Sequence, residues 1–382
     1  MSEKLKMKSE KLRVPTLRFK EFSAEWEEKK LGDISKITMG QSPSSSSYNE
    51  NNNGIPLIQG NADCKNRKTV PRIYTTEITK ECFIGDIIMT VRAPVGAISK
   101  SFHNSCIGRG VCAIKPKENN EYIYQFLIRY EESWAKYSQG STFTAVNSSD
   151  IKNLKINLPQ KKEQEKIASF LSSIDKKIEQ LSKKDELLES YKKGVMQKIF
   201  SQEIRFKDYD GSDYSDWEEK KIKDITTKKS SNISANTLEE NIGVFKIYGA
   251  TGFLKSIDFY TEEEKYISIV KDGAGVGRVL LCDAKSSVLG TLDIIKNIEN
   301  INLHFIYLLL TKIHFEKYMV GSTIPHIYYK DYSNEKIKIP CLEEQTKIAN
   351  FLSSIDTNIS QNKKTLEETK KFKKALLQQM FV

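Results

Sequence analysis

Apolar positions recur with one spacing along two separated stretches of the chain. From Ile167 they fall at Leu171, Ile174, Ile178, Leu181, Leu188, Val195 and Ile199; from Ile348 they fall at Leu352, Ile355, Ile359, Leu366, Leu376 and Met380. The steps are mostly four and three residues. A 3.5-residue period held over about five heptads predicts a helix whose narrow apolar seam faces another helix. Asp185 and Lys192 interrupt the first seam, and Asn362, Thr369 and Lys373 interrupt the second. Polar seam positions fix register and partner at some cost in stability. Each helix of about 40 residues extends roughly 60 Å at ~1.5 Å per residue. Neither has another strong partner in the sequence, so the pattern predicts that the two pair with each other as an antiparallel coiled coil. Gly194 and the break after Phe200 are expected to close the first helix.

The two stretches are copies. Ile167-Ala168-Ser169-Phe170-Leu171-Ser172-Ser173-Ile174-Asp175 returns near the end of the sequence as Ile348-Ala349-Asn350-Phe351-Leu352-Ser353-Ser354-Ile355-Asp356, with a single difference. The same offset relates Val95-Gly96 to Val276-Gly277 and holds to the chain end. Earlier pieces also recur. Arg18-Phe19 and Trp26-Glu27-Glu28-Lys29-Lys30 come back as Arg205-Phe206 and Trp217-Glu218-Glu219-Lys220-Lys221, with both tryptophans expected as core anchors. Self-similarity at this scale means one unit built twice.

Between the copies, short β-rich runs alternate with turns. Ile55–Ile58, Asp86–Val91 and Val111–Ile114 have parallels in Val244–Ile247, Tyr266–Val270 and Leu292–Ile295. A helix-like stretch follows in each half, Tyr122–Tyr130 and Leu303–Ile313. After it comes a Gly-Ser-Thr loop, at Gly140-Ser141-Thr142 and Gly321-Ser322-Thr323. The predicted fold is therefore α+β, with two homologous domains separated by two long helices. Residues 1–159 form the first domain (1–13 a flexible tail), 160–200 the first helix, 201–340 the second domain and 341–382 the second helix.

Composition narrows the class. A chain of 382 residues is too long for one compact core. It has no run of about 18 apolar residues that would span a membrane and no secretory leader pattern, so a cytoplasmic location is expected. Its six cysteines form no C-x-x-C pair, which argues against a zinc site or a disulfide framework. Net charge is +10, unevenly spread: residues 1–159 carry 24 Lys and Arg against 17 Asp and Glu, whereas residues 201–340 carry 19 against 21. A basic excess permits a nucleic-acid partner, but in the second domain only a local patch would serve one.

Catalytic patterns are missing. Gly273-Ala274-Gly275-Val276-Gly277 matches a G-x-G-x-G nucleotide loop, with Asp293 at about the distance of a ribose-binding acid. Its duplicate reads Arg92-Ala93-Pro94-Val95-Gly96, Cys112 replaces Asp293, and no long helix follows either loop, so a turn is the better reading. There is no phosphate-binding G-x-x-x-x-G-K-[ST], no Asn-Pro-Pro-aromatic or Asp-Pro-Pro-aromatic run, and no H-E-x-x-H. Asp258 with Glu263-Glu264-Lys265 has the outline of a nuclease motif but sits in an acidic run, where a solvated turn is expected. No catalytic or metal-ligating residue is assigned. A self-contained DNA methyltransferase using the Gly273–Gly277 loop and a coiled-coil adaptor without a DNA role stand as alternatives.

The two Phe-Leu-Ser-Ser-Ile-Asp helix starts, each after a proline and Glu-Gln (Glu163-Gln164, Glu344-Gln345), together with Arg18-Phe19, Trp26-Glu27 and the Gly-Ser-Thr loops, resemble the specificity subunits of type I restriction–modification systems. The resemblance covers nearly the whole chain. It implies two target-recognition domains, each reading half of a bipartite site on double-stranded DNA. It also implies helices that set the spacer and dock two modification (methyltransferase) subunits, with restriction/translocase subunits completing the complex. It implies no cofactor on this chain: S-adenosylmethionine would belong to the modification subunits, and ATP with Mg to the restriction subunit. DNA-reading candidates are turn residues between apolar runs: Gln59, Asn61, Arg67, Arg92, Arg109, Ser141 and Thr142 in the first domain, and Tyr248, Lys271, Arg278, Ser322, Thr323 and His326 in the second. Phe170, Leu187, Phe351 and Leu377, expected as exposed apolar residues beside the seam, are the candidates for subunit docking.

Overall fold

The computed structural model describes residues 14–139 and 145–382. The chain divides into two compact units, residues 1–183 with 363–382 and residues 184–362. The long helices run Lys161–Phe200 and Leu342–Met380, and each contributes one half to each unit. The first continues through Gly194, where an added Cβ would meet nothing. Ser201 and the positive φ of Gln202 end it instead.

Within the first unit, Asp175 meets Lys373 at 2.6 Å; within the second, Lys192 meets Asp356 at 2.5 Å. Moving up one helix thus moves down the other, so the pair is antiparallel. The seam buries the residues that the spacing selects, including Leu171, Ile174 and Leu376 in the first unit and Leu352, Ile355 and Ile359 in the second. Two polar interruptions are buried as well, Asn362 and Lys373. Burial pushes the Lys373 ammonium below its ordinary value, an effect that Asp175 opposes.

The first domain stacks two sheets. One runs in the order Ser35–Met39, Val111–Pro116, Ile87–Thr90, Ile98–Lys100, Lys68–Thr69, Cys64–Lys65. The other runs Tyr48–Asn49, Ile73–Thr75, Ile55–Ile58, Ser105–Ile107, Glu81–Cys82. Ile87–Thr90 and Val111–Ile114 are buried at every position, the pattern of strands covered on both faces. The helix Asn120–Gln139 packs Tyr122, Phe126 and Trp134 into the main core.

The second domain repeats this frame with fewer strands. Thr226–Ser230, Leu292–Asn297, Tyr266–Val270 and Val279–Cys282 form one sheet; Gly252–Ile257, Phe245–Gly249 and Ser286–Val288 form the other. Its helix, Leu303–Leu310, is capped by Asn302, whose side chain accepts from Phe305 N at 3.0 Å. In both domains an antiparallel strand pair seats the domain on its long helix, Glu27–Lys30 with Lys155–Leu158 and Glu218–Lys221 with Lys336–Ile339.

Trp26 and Trp217 are core residues, 2% and 8% exposed. The Gly273–Gly277 loop has positive φ at all three glycines and runs into the strand Val279–Cys282, not into a helix. Gly277 and its counterpart Gly96 share a packing role: a Cβ would stand 2.6 Å from Phe315 Cβ in one case and 2.5 Å from Trp134 Cβ in the other. The acidic run is not wholly solvated. Glu262 is 2% exposed and bridges Lys229 and Lys296 at 2.7 and 2.5 Å.

Leu171 is fully buried, so Leu171→Asp places an unpaired charge in the seam. It should cost several kcal/mol, read as a lower midpoint in urea unfolding. The Glu262 bridge has a pH signature. Burial alone would raise this carboxyl, but the bonds from Lys229 and Lys296 outweigh it and hold it below its ordinary 4.5. A depressed carboxylate adds stability above its unfolded value and loses it as pH falls through the folded value. Acid unfolding below pH 4.5 should therefore be steeper in the native chain than in Glu262→Gln; parallel curves would show that the bridge contributes nothing.

Candidate nucleic-acid interface

Each helix start is fastened by the same set of residues. Glu163 is almost fully buried and takes a two-pronged bond from Arg18, Nε to Oε1 and Nη2 to Oε2, both 2.7 Å. Glu344 takes the same bond from Arg205 at 3.3 and 2.8 Å, plus Trp217 Nε1 at 3.1 Å. The neighbouring glutamines donate to the proline carbonyls that precede the helices, Gln164 to Pro159 at 3.0 Å and Gln345 to Pro340 at 2.9 Å. The recurring Arg-Phe, Pro and Glu-Gln pieces are therefore one joint. Its phenylalanines close it, Phe19 on Phe170 and Phe206 on Phe351, with ring centroids 5.8 and 5.6 Å apart.

This corrects part of the docking expectation. Phe170 and Phe351 are half-buried under the chain's own phenylalanines, and Leu377 is 6% exposed inside the first unit's core. Leu187 alone of the four stands out, at 58%. The sequence reading missed Tyr191 and Phe372, 53% and 56% exposed. They are repeat equivalents, so the constant offset between the copies was the signal that could have found them.

The recognition candidates divide more sharply. In the first domain, the loops after Ser35–Met39, Ile55–Ile58, Ile87–Thr90 and Ser105–Ile107 converge on a cleft of about 490 Å³. Gln59, Asn61, Arg92 and Arg109 line it together with Ser42 and Tyr48, and no carboxylate does. Backbone bonds hold the loops against each other: Val91 N to Gly110 O at 2.9 Å, Gly108 N to Ile58 O at 2.8 Å and Arg109 N to Ser42 Oγ at 3.1 Å. Gly110 is required here, because a Cβ would stand 2.1 Å from Gln59 O. Arg67 is not part of this cleft. Its guanidinium is bonded to Glu131 and to Ile98 O. Ser141 and Thr142 lie outside the described residues.

In the second domain a smaller cleft, about 250 Å³, is lined by Lys228, Lys271, Asp272, Asp293, Ile327, Tyr328 and Tyr329. Its charges are internally matched. Lys228 and Lys271 stand 3.5 and 3.4 Å from the buried Asp293, and His326 Nδ1 is 2.7 Å from Asp272 Oδ1. Tyr248 is not a turn residue. It lies in the strand Phe245–Gly249, 8% exposed, with its hydroxyl 3.0 Å from Asp283, and burial pushes that hydroxyl up to about 12. Arg278 is exposed but donates to Ala250 O at 2.6 Å. Ser322 and Thr323 are exposed loop residues. Among the described residues, no cluster of three or more His, Cys, Asp or Glu could hold a metal ion.

One α+β frame, present twice on an antiparallel helix pair and carrying a different cleft in each copy, defines a duplicated recognition protein. Residues 23–190 and 214–371 each match the type I restriction modification DNA specificity domain, and the chain belongs to that family. The function that goes with the family is DNA sequence specificity, held by a non-catalytic subunit. The putative type I restriction enzyme MjaX specificity subunit of Methanocaldococcus jannaschii is 38% identical over 49% of this chain and 45% of its own length, so that match spans under half of the relative. The MjaIX specificity subunit of the same organism is 28% identical over 92% of each chain. The crystal structure of the type I restriction-modification S subunit from M. genitalium shares the fold at a TM-score of 0.67 and 20% identity, covering 97% of this chain and 99% of that one. Among the described residues no helix is long and apolar enough to cross a membrane.

The joint makes a prediction. Arg205→Ala leaves Glu344, which is fully buried, without its main countercharge. Removing one partner of a buried pair costs roughly 3–5 kcal/mol. Arg205→Ala with Glu344→Gln should recover much of that loss in urea unfolding. Equal losses in the single and double variants would show that Arg205 acts through packing alone.

Proposed function

We propose that each domain reads one half of a bipartite site on double-stranded DNA, and that the paired helices keep the two halves at a fixed spacing. One observation carries this reading. The same frame carries clefts built from different residues, and at different places, in its two copies, as expected of two domains that share a scaffold and read different sequences. Phosphate contacts from Lys and Arg supply affinity, and base-edge contacts supply specificity.

The helices also dock two modification (methyltransferase) subunits. Tyr191 and Phe372 support this as exposed aromatics at equivalent places, one on each helix, a duplication that suits two copies of one partner. S-adenosylmethionine belongs to those subunits, and ATP with Mg to the restriction/translocase subunits; this chain supplies DNA selection and binds no cofactor of its own. The assembly works in the cytoplasm, where its DNA is.

Exchanging residues 15–159 for the same domain of a relative, and mapping methylated adenines in cells carrying the complete system, should change one half of the target and leave spacer length and the other half intact. A change in both halves sinks the assignment. For docking, Tyr191→Glu with Phe372→Glu should abolish co-purification of the modification subunits while far-UV circular dichroism and melting stay native. Undiminished co-purification places the docking surface elsewhere.

A further inference from the structure

Three side chains of the first cleft, Gln59, Arg92 and Arg109, have no equivalents in the second domain. Arg109 falls within the region of constant offset, and its counterpart is Gly290. Gln59 precedes that region, so strand pairing supplies its counterpart. Ile58 lies opposite Ile107 in a parallel pair of the first domain, and Tyr248 lies opposite Val288 in a parallel pair of the second. Ile107 and Val288 are themselves repeat equivalents. The residue after Ile58 is Gln59; the residue after Tyr248 is Gly249. Arg92 lies in a loop that is one residue longer in the second copy. Val91 N bonds to Gly110 O, and Lys271 N bonds to Thr291 O, the repeat equivalent of Gly110. Lys271 therefore matches Val91, and Gly277 matches Gly96. Arg92 then stands against Asp272-Gly273, where the one side chain is an acid already held by His326. Neither cation nor amide is kept at any of the three places.

Positive φ does not explain the two glycines that replace Gln59 and Arg109, although a Cβ on Gly290 would press on Ser231 O at 3.3 Å and Ile233 O at 3.4 Å. Neither Gly249 nor Gly290 is at positive φ. A Cβ on Gly249 would make an ordinary 3.5 Å contact with Leu289. The scaffold tolerates either choice at that position, so the difference lies in what the loop presents.

What the first domain presents is suited to base edges. Arg92 and Arg109 are exposed, and among the described residues neither guanidinium has a partner. The acid nearest Gln59, Asp63, is buried and committed to Gln59 N, Gly60 N and Arg72. The two guanidines therefore face an uncompensated cleft. Arg109 N is clamped by Ser42, and Val91, the residue before Arg92, by Gly110 O and Val146 N. A phosphate contact needs only a charge within reach. A bidentate base contact needs a planar fork on a fixed mount, and the mount is what these loops build.

We propose that Arg92 and Arg109 read guanine in the first half-site, with Gln59 beside them for an adenine edge, so that the first half-site contains G·C pairs. The second domain, without these three side chains, reads its half from elsewhere. This rests on the reading in which one domain takes one half-site.

The test is selection from a random-sequence duplex library by the full chain co-purified with its modification subunits, at one fixed salt concentration. Native protein is compared with Arg92→Ala, Arg109→Ala, Arg92→Lys and Arg109→Lys, each first checked for unchanged melting. The expected result is that each alanine variant loses its preference for guanine at one position of one half-site by about 5- to 150-fold. The lysine variants should behave like the alanine variants, because lysine keeps the charge and loses the fork. Weakening that is uniform over all sequences and rescued by lysine overturns the proposal, since it marks a phosphate contact. A native half-site without G·C pairs also overturns it. Both results leave the one-domain, one-half reading standing. A variant that alters the other half-site or the spacer overturns that reading itself.

Discussion

Two buried-edge ion pairs set the register on which everything else depends. The aspartate that closes each Phe-Leu-Ser-Ser-Ile-Asp motif reaches the opposite helix, Asp175 to Lys373 and Asp356 to Lys192. The two lysines are repeat equivalents, as are the two aspartates, so the contact is an exchange between copies. A charged pair in an apolar seam is weak as a source of stability, because desolvation offsets most of the attraction. Its value is selective. A slip of one heptad along the seam would bring Ala168 or Ser182 to the place of Asp175 opposite Lys373, which is 8% exposed. Losing an aligned partner in this way is how a polar layer specifies register.

Around that register the repeat separates what is kept from what varies. The Arg–Glu bonds, the glutamine bonds to proline carbonyls and the Phe–Phe contacts appear in both copies with the same partners. They act at the base of each domain. At the far ends of the strands the copies share a backbone course and little else. Where the first domain has its two free guanidines the second has Asp272 and Gly290, and the lysines of its own cleft, at other places in the repeat, are already matched to Asp293. This fits the charge difference between the two stretches of sequence. The copies agree at the base of each domain and differ at the clefts.

Much of this was legible in the sequence. The seam spacing marks both long helices, and the strands fall where β-branched runs lie between turns, because strict periodicity and duplication survive any tertiary context. The misses have physical causes. Phe170 and Phe351 look exposed by helix phase, but the Arg-Phe segments that cover them come from far earlier in the chain. Leu377 looks like a flank residue until the first domain's core encloses it. Arg67 carries the charge of a DNA-reading residue, yet Glu131 and a backbone carbonyl occupy its guanidinium. The acidic run reads as solvated, yet Glu262 within it is buried against two lysines from neighbouring strands. In each case a partner distant in sequence decided the outcome, and a local pattern holds no information about it.

Phe200 ends the first long helix and packs on Trp217 and Phe305 of the second domain. Its repeat equivalent, Phe381, follows the second long helix and packs on Tyr122 and Phe126 of the first domain. Leu17 N bonds to Gln379 O in the same region. The order of synthesis is therefore the reverse of the order of completion. Domains ordinarily fold as they leave the ribosome, the N-terminal one first. Here the second unit, residues 184–362, has all its parts while the first still lacks the helix segment that fills its core. The core of the first domain is therefore completed only once residues 363–382 have emerged.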